Sequence, residues 1–250
     1  MLLAAFCLTA FIAAVVSGAL GLGGGTLLVG VLFAAGLPPA QAVPLFAIVQ
    51  LTANGTRSLR YLHAVHIPAL LSFSAASLPA ALLFAPMAES APLHWVQLGL
   101  GAMILYSLLP ARTPDKTPGA PGSAAYAGAG LLNGSVGMFI GATGLILGRL
   151  LLRPDWPRAR VVGTIAATQA LGHAFKILGF AVTGGALLLD PVTTIAMCVA
   201  AVAAVAGTVA GTRLGERLPE ARFRRIFRIV LLLLAAQLCI GGIMRAWMPF

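Results

Sequence analysis

Near its N-terminus the chain reads Gly18-Ala19-Leu20-Gly21-Leu22-Gly23-Gly24-Gly25, and 119 positions later it reads Gly137-Met138-Phe139-Ile140-Gly141-Ala142-Thr143-Gly144. A second stretch, Gln50-Leu51-Thr52-Ala53-Asn54-Gly55-Thr56-Arg57, recurs at the same offset as Gln169-Ala170-Leu171-Gly172-His173-Ala174-Phe175-Lys176. An internal duplication in an apolar chain is typical of membrane proteins built from two structural repeats. The sequence therefore predicts two repeats, 1–109 and 123–250, joined by a linker at 110–122 that contains four prolines.

The composition is that of an integral membrane protein. Hydrophobic residues make up 60% of the 250 residues and charged residues only 9%. We therefore expect an all-α fold that crosses a membrane several times, with no separate soluble domain. Proline, glycine and charged residues divide the chain into eight apolar segments: 2–35, 40–58, 67–85, 93–109, 123–152, 160–182, 191–212 and 226–248.

The formal net charge of +10 raises the question of a nucleic-acid partner. The basic residues lie in short loops between apolar segments and are not interleaved with aromatic residues, which indicates membrane orientation instead. We expect no nucleic-acid partner. Cys7, Cys198 and Cys239 are isolated within apolar segments and lack metal-ligand spacing. Neither a disulfide, a metal site nor a cofactor is expected.

Segments one and five are too long for simple membrane crossings. A continuous helix over residues 2–35 would measure about 50 Å, whereas the hydrocarbon core is about 30 Å thick. The glycines at 21–25 and 137–144 are expected to interrupt the two segments. Each segment is then either one long tilted span with a surface extension or a re-entrant hairpin with both ends on one side.

Loop charges favour the hairpin. If all eight segments cross, the fifteen basic residues other than Lys176 divide ten to five between the two sides. With two hairpins, fourteen lie on one side and only Arg245 on the other, in agreement with the positive-inside rule. Glu89 and Asp190 then lie outside, and three full crossings per repeat make the repeats inverted. The loops predicted to be cytoplasmic are 57–60, 112–116, 149–160 and 213–228.

The glycine clusters are candidates for a binding site. They lack the Lys-Ser/Thr ending of a phosphate-binding loop, and close helix packing explains some of the glycines. Four glycines in five residues nevertheless destabilise a helix, by about 1 kcal/mol each, and unwound backbone at membrane depth lines a cavity or is buried in protein. A helix N-terminus after the break would present N–H groups to an anion. The predicted ligands are Gly23, Gly24, Gly25, Thr26 and, in the second repeat, Gly144.

Two polar stripes form the second candidate feature, because residues at spacings of four and three lie on one helix face. They consist of Gln50, Asn54 and Arg57 and of Gln169, His173 and Lys176. A buried, unpaired ammonium costs several kcal/mol, and the six acidic residues lie in loops or at segment ends. The counter-charge of Lys176 could be a bound anion; snorkelling of Lys176 or Arg57 to the surface is the alternative. His173 lacks metal-ligating neighbours at ligand spacing.

On these residues the chain resembles the sulfite exporter TauE/SafE family, also called the toluene sulfonate uptake permeases. The resemblance covers essentially the whole chain and rests on the glycine-rich break and on the stripes Gln50-x-x-x-Asn54-x-x-Arg57 and Gln169-x-x-x-His173-x-x-Lys176. Gly30 replaces a proline found in many members, and Val43-Pro44-Leu45 replaces a Gly-Thr-Ser-like triplet. The resemblance implies transport, usually export, of small sulfur-containing anions such as sulfite or sulfonates.

The leading hypothesis is thus a secondary transporter for a small anion in the bacterial inner membrane. Its candidate partners are membrane lipid and a second copy of the chain, in a homodimer. An anion channel is one alternative. An intramembrane enzyme is another, but the segments contain no carboxylate and only His173 deep inside, so no catalytic residues are expected.

Overall fold

The computed structural model describes residues 2–20, 23–109, 122–144, 147–148, 156–183, 191–217 and 220–247. Within these ranges the chain forms ten α-helices and no strand, which confirms the all-α fold. The first half contains α1 (Leu2–Leu20), α2 (Gly24–Ala34), α3 (Pro39–Arg60), α4 (Ile67–Glu89) and α5 (Leu93–Leu108). The second half contains α6 (Ser123–Gly134), α7 (Val136–Ile140), α8 (Arg158–Val182), α9 (Pro191–Arg217) and α10 (Glu220–Trp247).

Several helices are suited to a bilayer. Four stretches among the described residues are long and apolar enough to cross a membrane: Ile67–Glu89, Arg158–Val182, Met197–Gly215 and Phe227–Trp247. Their outward faces carry large apolar side chains such as Leu83, Val202 and Leu233, which lipid would cover. Most of the predicted linker, residues 110–121, and Asp190 lie outside the described residues.

Segment one is interrupted as predicted. Helix α1 ends at Leu20, and α2 begins at Gly24 after Gly23, whose φ of +93° suits a glycine. The chain then folds back on itself, because Gly24 packs against Ala13 and Ser17 of α1 so closely that a β-carbon would collide with the Ala13 carbonyl oxygen. This reversal is the hairpin that the loop charges favour.

Segment five is also interrupted, but at two places. Helix α6 ends at Gly134, and the short α7 ends where Gly141 adopts a φ of +77°. The sequence predicted a single break at 137–144, whereas Gly137 lies inside α7 and the first interruption falls at Ser135. The Ser135 hydroxyl donates to the Leu131 carbonyl at 2.6 Å, a local bond that competes with continued helix.

The two halves are inverted relative to each other, as predicted. Helices α3 and α8 are equivalent by the duplication and run antiparallel, since Phe46 contacts His173 while Tyr61 contacts Gly163. Helices α5 and α10 are likewise antiparallel, with the His94 end of α5 against Gly242. The exact repeat boundaries stay a prediction.

Small residues let the remaining helices approach closely. Gly207, Gly211 and Gly215 of α9 follow the backbone of α1, and Gly130 and Gly134 of α6 follow that of α4. A β-carbon at any of these glycines would meet a backbone carbonyl of the partner helix. Without a hydrophobic driving force between helices in lipid, such close backbone packing is the main attraction. Helices α3 and α8 pack against each other, and α8 is the most buried of the four candidate spans, which places this pair at the centre of the bundle.

Candidate functional site

The break before α2 presents an uncapped helix N-terminus. Gly23 occupies the N-cap position and, as a glycine, supplies no side-chain cap to the first turn of α2. The N–H groups of a first helical turn have no partner within their own helix and carry the positive end of the helix dipole. The first turn here is formed by Gly24, Gly25 and Thr26, so these N–H groups are available to a guest.

Each glycine break faces a glutamine of its own half. A β-carbon on Gly25 would lie 3.1 Å from the Gln50 Oε1, and one on Gly144 would lie 3.2 Å from the Gln169 Oε1. The fit is tight at both positions, so a β-carbon there would push the glutamine amide away from the backbone by a few tenths of an ångström. The same arrangement occurs twice because positions 25 and 144, like 50 and 169, are 119 residues apart.

The two breaks meet at one small polar cavity of about 30 Å³. This space holds about two water molecules, so an oxyanion with three oxygens requires side chains of the wall to move. None of the described lining residues is a carboxylate. The lining residues are Ser17, Gly23, Gly25, Thr26, Phe46, Gln50, Asn54, Ala142, Gly144, Ile165, Gln169 and His173.

Three buried nitrogen atoms of the cavity wall make no hydrogen bond among the described residues. They are Nε2 of Gln50, Nε2 of Gln169 and Nδ1 of His173. The exposed fractions of these side chains are 2%, 6% and 2%, so bulk water does not satisfy them. A buried polar group without a partner costs about 1–3 kcal/mol. The arrangement is therefore prepared for a hydrogen-bonding guest.

Asn54 is satisfied within its own helix. Its Nδ2 donates to the Gln50 carbonyl at 3.0 Å and lies 3.4 Å from the Gln50 Oε1. Asn54 thereby orients the Gln50 amide, and Asn54 itself also lines the cavity. In the second half the equivalent position carries His173.

The two buried cations stand behind the cavity wall. Arg57 and Lys176 are 4% and 0% exposed but are not among the described residues that line the cavity. Arg57 donates to the Ser17 hydroxyl at 2.8 Å, and Lys176 donates to the Asn133 Oδ1 at 2.7 Å. Full burial argues against snorkelling. No carboxylate is among the buried side chains of the described residues.

The structure thus brings eight of the eleven predicted ligands to one cavity: Gly23, Gly25, Thr26, Gln50, Asn54, Gly144, Gln169 and His173. Gly24 contacts α1, and Arg57 and Lys176 lie one layer back. Their roles as ligands stay predictions.

Sequence reasoning missed several wall residues. Ala142 lies 119 positions after the predicted Gly23, so extending the duplication from Gly23 would have found it. Phe46 and Ile165 are also 119 positions apart, but neither carried a polar signal. Ser17 carried no signal from the duplication. As for metals, the described residues contain no group of three His, Cys, Asp or Glu side chains placed to hold an ion.

An all-α membrane bundle of inverted halves, with interrupted helices that meet at a buried polar cavity, defines a membrane transport protein. The chain belongs to the family described as sulfite exporter TauE/SafE, whose family model matches residues 6–238. No curated protein and no solved structure matches the chain. The family is one of transporters for sulfur anions.

Proposed function

We propose that this protein is a secondary transporter that exports a small sulfur-containing or organic anion, such as sulfite or a sulfonate, across the bacterial inner membrane. The observation that carries the proposal is the cavity at which both helix breaks meet. Its wall offers three unpartnered nitrogen atoms and no carboxylate among the described residues. Such a wall favours an anion over a cation.

The oxygens of the anion would be bound by neutral donors. Backbone N–H groups at the start of α2 and beside Gly144 supply one set, and the Gln50, Gln169 and His173 side chains supply the other. Neutral N–H groups at a helix N-terminus are a common way to bind an oxyanion. The positive charges of Arg57 and Lys176, which lie behind the cavity wall, would offset the negative charge of the bound anion by electrostatic attraction.

A transport cycle follows from the inverted halves. Inverted repeats around a central site permit rocking between inward-open and outward-open states. The chain contains no nucleotide-binding motif, so an ion gradient or the membrane potential would supply the energy. The cavity of about 30 Å³ would have to widen during this cycle to admit the anion.

Purified protein in liposomes provides the test. Liposomes loaded with sulfite should lose it in a saturable manner, and external sulfite should accelerate the loss by counter-flow. The Gln50→Ala/Gln169→Ala double variant should be inactive, while Arg245→Gln, altered at an exposed cation, should be active. Non-saturable flux without counter-flow would indicate an anion channel, and no flux of any tested anion would reject the proposal.

The substrate class can be ranked by ligand stabilisation. Sulfite, methanesulfonate, sulfate and acetate are added to the detergent-solubilised protein, and the midpoint of thermal unfolding is followed. A ligand that binds only the folded state raises the midpoint in proportion to its occupancy. We expect sulfite and methanesulfonate, the two sulfur anions with three oxygens, to stabilise the protein most. The protein mass of the complex in the same detergent sample tests the predicted homodimer, which would have twice the 25.5 kDa mass of one chain.

A further inference from the structure

The buried cations have partners that the sequence did not indicate. Arg57 of α3 donates to Ser17 of α1 at 2.8 Å. Lys176 of α8 donates to Asn133 of α6 at 2.7 Å. In each half, therefore, the cation of the central helix bonds to a polar side chain on the first helix of the same half. Hydrogen bonds from a charged donor are stronger than those between neutral groups.

Each polar partner in turn contacts the residue at the helix break. Ser17 packs directly on Gly24, where an added β-carbon would lie 2.7 Å from the Ser17 Cβ. Asn133 accepts a second hydrogen bond through the same Oδ1, from the Thr143 hydroxyl at 2.8 Å. Its Nδ2 donates to Ser77 of α4 at 2.9 Å, which fixes the orientation of the amide. Ser17, Asn133 and Thr143 are all buried.

The two chains of contacts are equivalent by the duplication. Gly24 corresponds to Thr143 and Arg57 to Lys176, each pair being 119 positions apart. The intermediate residues are not at equivalent positions, because the position equivalent to Asn133 is Ala14, three residues before Ser17. The contact with the break also differs, since Ser17 packs on Gly24 whereas Asn133 accepts a hydrogen bond from Thr143. Residues three apart lie on the same helix face. The arrangement is thus preserved although its middle residue is not.

We infer that Ser17 and Asn133 are positioning residues, through which Arg57 and Lys176 hold the two helix breaks in the shape that binds the anion. This inference rests on the proposed function only for its consequence in binding. Neither cation lines the cavity in this arrangement. They fix Gly24 and Thr143, which precede the wall residues Gly25 and Gly144.

A coupling experiment separates this role from direct binding by Lys176. Lys176→Met, the isosteric Thr143→Val and the double variant are compared for sulfite affinity. If Lys176 acts through Asn133 on Thr143, each single change weakens binding about tenfold, and the double variant is no weaker than the worse single variant. Losses that multiply to about a hundredfold, or normal binding by Thr143→Val, would overturn the inference.

A second readout does not depend on any anion. Hydrogen exchange of the backbone amides at 137–144 is measured without ligand in the same variants and in Arg245→Gln as control. Faster exchange in Lys176→Met and in Thr143→Val, with unchanged exchange in the control, supports the positioning role even if sulfite does not bind the wild type. Exchange at the wild-type rate in both variants refutes it, whatever the substrate proves to be.

Discussion

The imidazole of His173 meets the ring of Phe46 edge-on, with ring centroids 5.0 Å apart and planes at 83°. The two residues belong to opposite halves of the chain, so this contact joins the halves at the cavity wall. An edge-to-face pair fixes the ring by shape without occupying its nitrogen atoms. The Nδ1 of His173 accordingly has no partner in the described structure.

From this arrangement we predict that His173 binds the anion through its ring nitrogen. His173→Phe keeps an aromatic ring against Phe46 but removes the polar atom, so sulfite affinity should fall by about tenfold or more. His173→Asn introduces the residue found at the equivalent position 54 and should keep most of the affinity. Titrations of thermal stability with sulfite give both values. Wild-type affinity in His173→Phe would place the site elsewhere.

A second prediction concerns the glycines under the two glutamines. Gly25→Ala and Gly144→Ala would each place a methyl group 3.1–3.2 Å from a glutamine amide and fill part of a cavity of about 30 Å³. Both should lose sulfite flux from liposomes while the protein still folds, because a flexible amide can give way.

Gly55→Ala is the matched control for these glycines. Gly55 lies in the same helix as Gln50, and an added β-carbon there meets nothing within 4 Å. This change should leave flux normal and raise helix stability by up to about 1 kcal/mol. Equal flux in all three variants would show that the glycine–glutamine contacts do not shape the site.

The duplication accounts for what the sequence could predict. It located the break before Gly24, and, with the loop charges, the inversion seen in the antiparallel α3 and α8. It also located the stripes, because polar residues at helical spacing must share a face. The wall residues Gln50 and Gln169 follow from this periodicity alone.

Other features depend on contacts that no repeat or period records. Ser17 and Asn133 are not at equivalent positions, so the duplication hides their common role. Gly24 and Gly25 are indistinguishable in sequence, yet one packs on α1 and the other lines the cavity. The interruption at Ser135 coincides with a local hydroxyl–carbonyl bond. The roles of these residues can be distinguished only by their contacts in the folded structure.

A third prediction concerns pH and stability. His66 caps α4, its Nδ1 accepting from the Ala69 N–H at 3.3 Å. Burial, and secondly the nearby Arg160, lower the pKa of His66 from its usual 6.5. As the pH falls below 6.5, the unfolded chain takes up this proton before the folded one. The contribution of His66 to stability is therefore complete above that pH and is lost below it.

The measurement is the midpoint of thermal unfolding in detergent at pH 8 and pH 5. Asparagine also caps helices but does not titrate, so His66→Asn should show a smaller decrease towards pH 5 than the wild type. His63→Asn, altered at an exposed histidine nearby, should behave as the wild type. Parallel decreases in the wild type and His66→Asn would show that other groups cause the acid sensitivity.

The last prediction fixes the orientation in the membrane. Helix α4 is long and apolar enough to span the bilayer, and the exposed residues His63 and Ser90 lie beyond its two ends. The His63 end adjoins the exposed Arg60 at the end of α3, and positive charge beside a membrane-spanning helix stays in the cytoplasm. With Cys7, Cys198 and Cys239 replaced, a membrane-impermeant maleimide added to intact cells should label Ser90→Cys but not His63→Cys. Permeabilised cells, as control, should label both. Labelling of His63→Cys alone would reverse the orientation, and labelling of both in intact cells would mean that α4 does not cross.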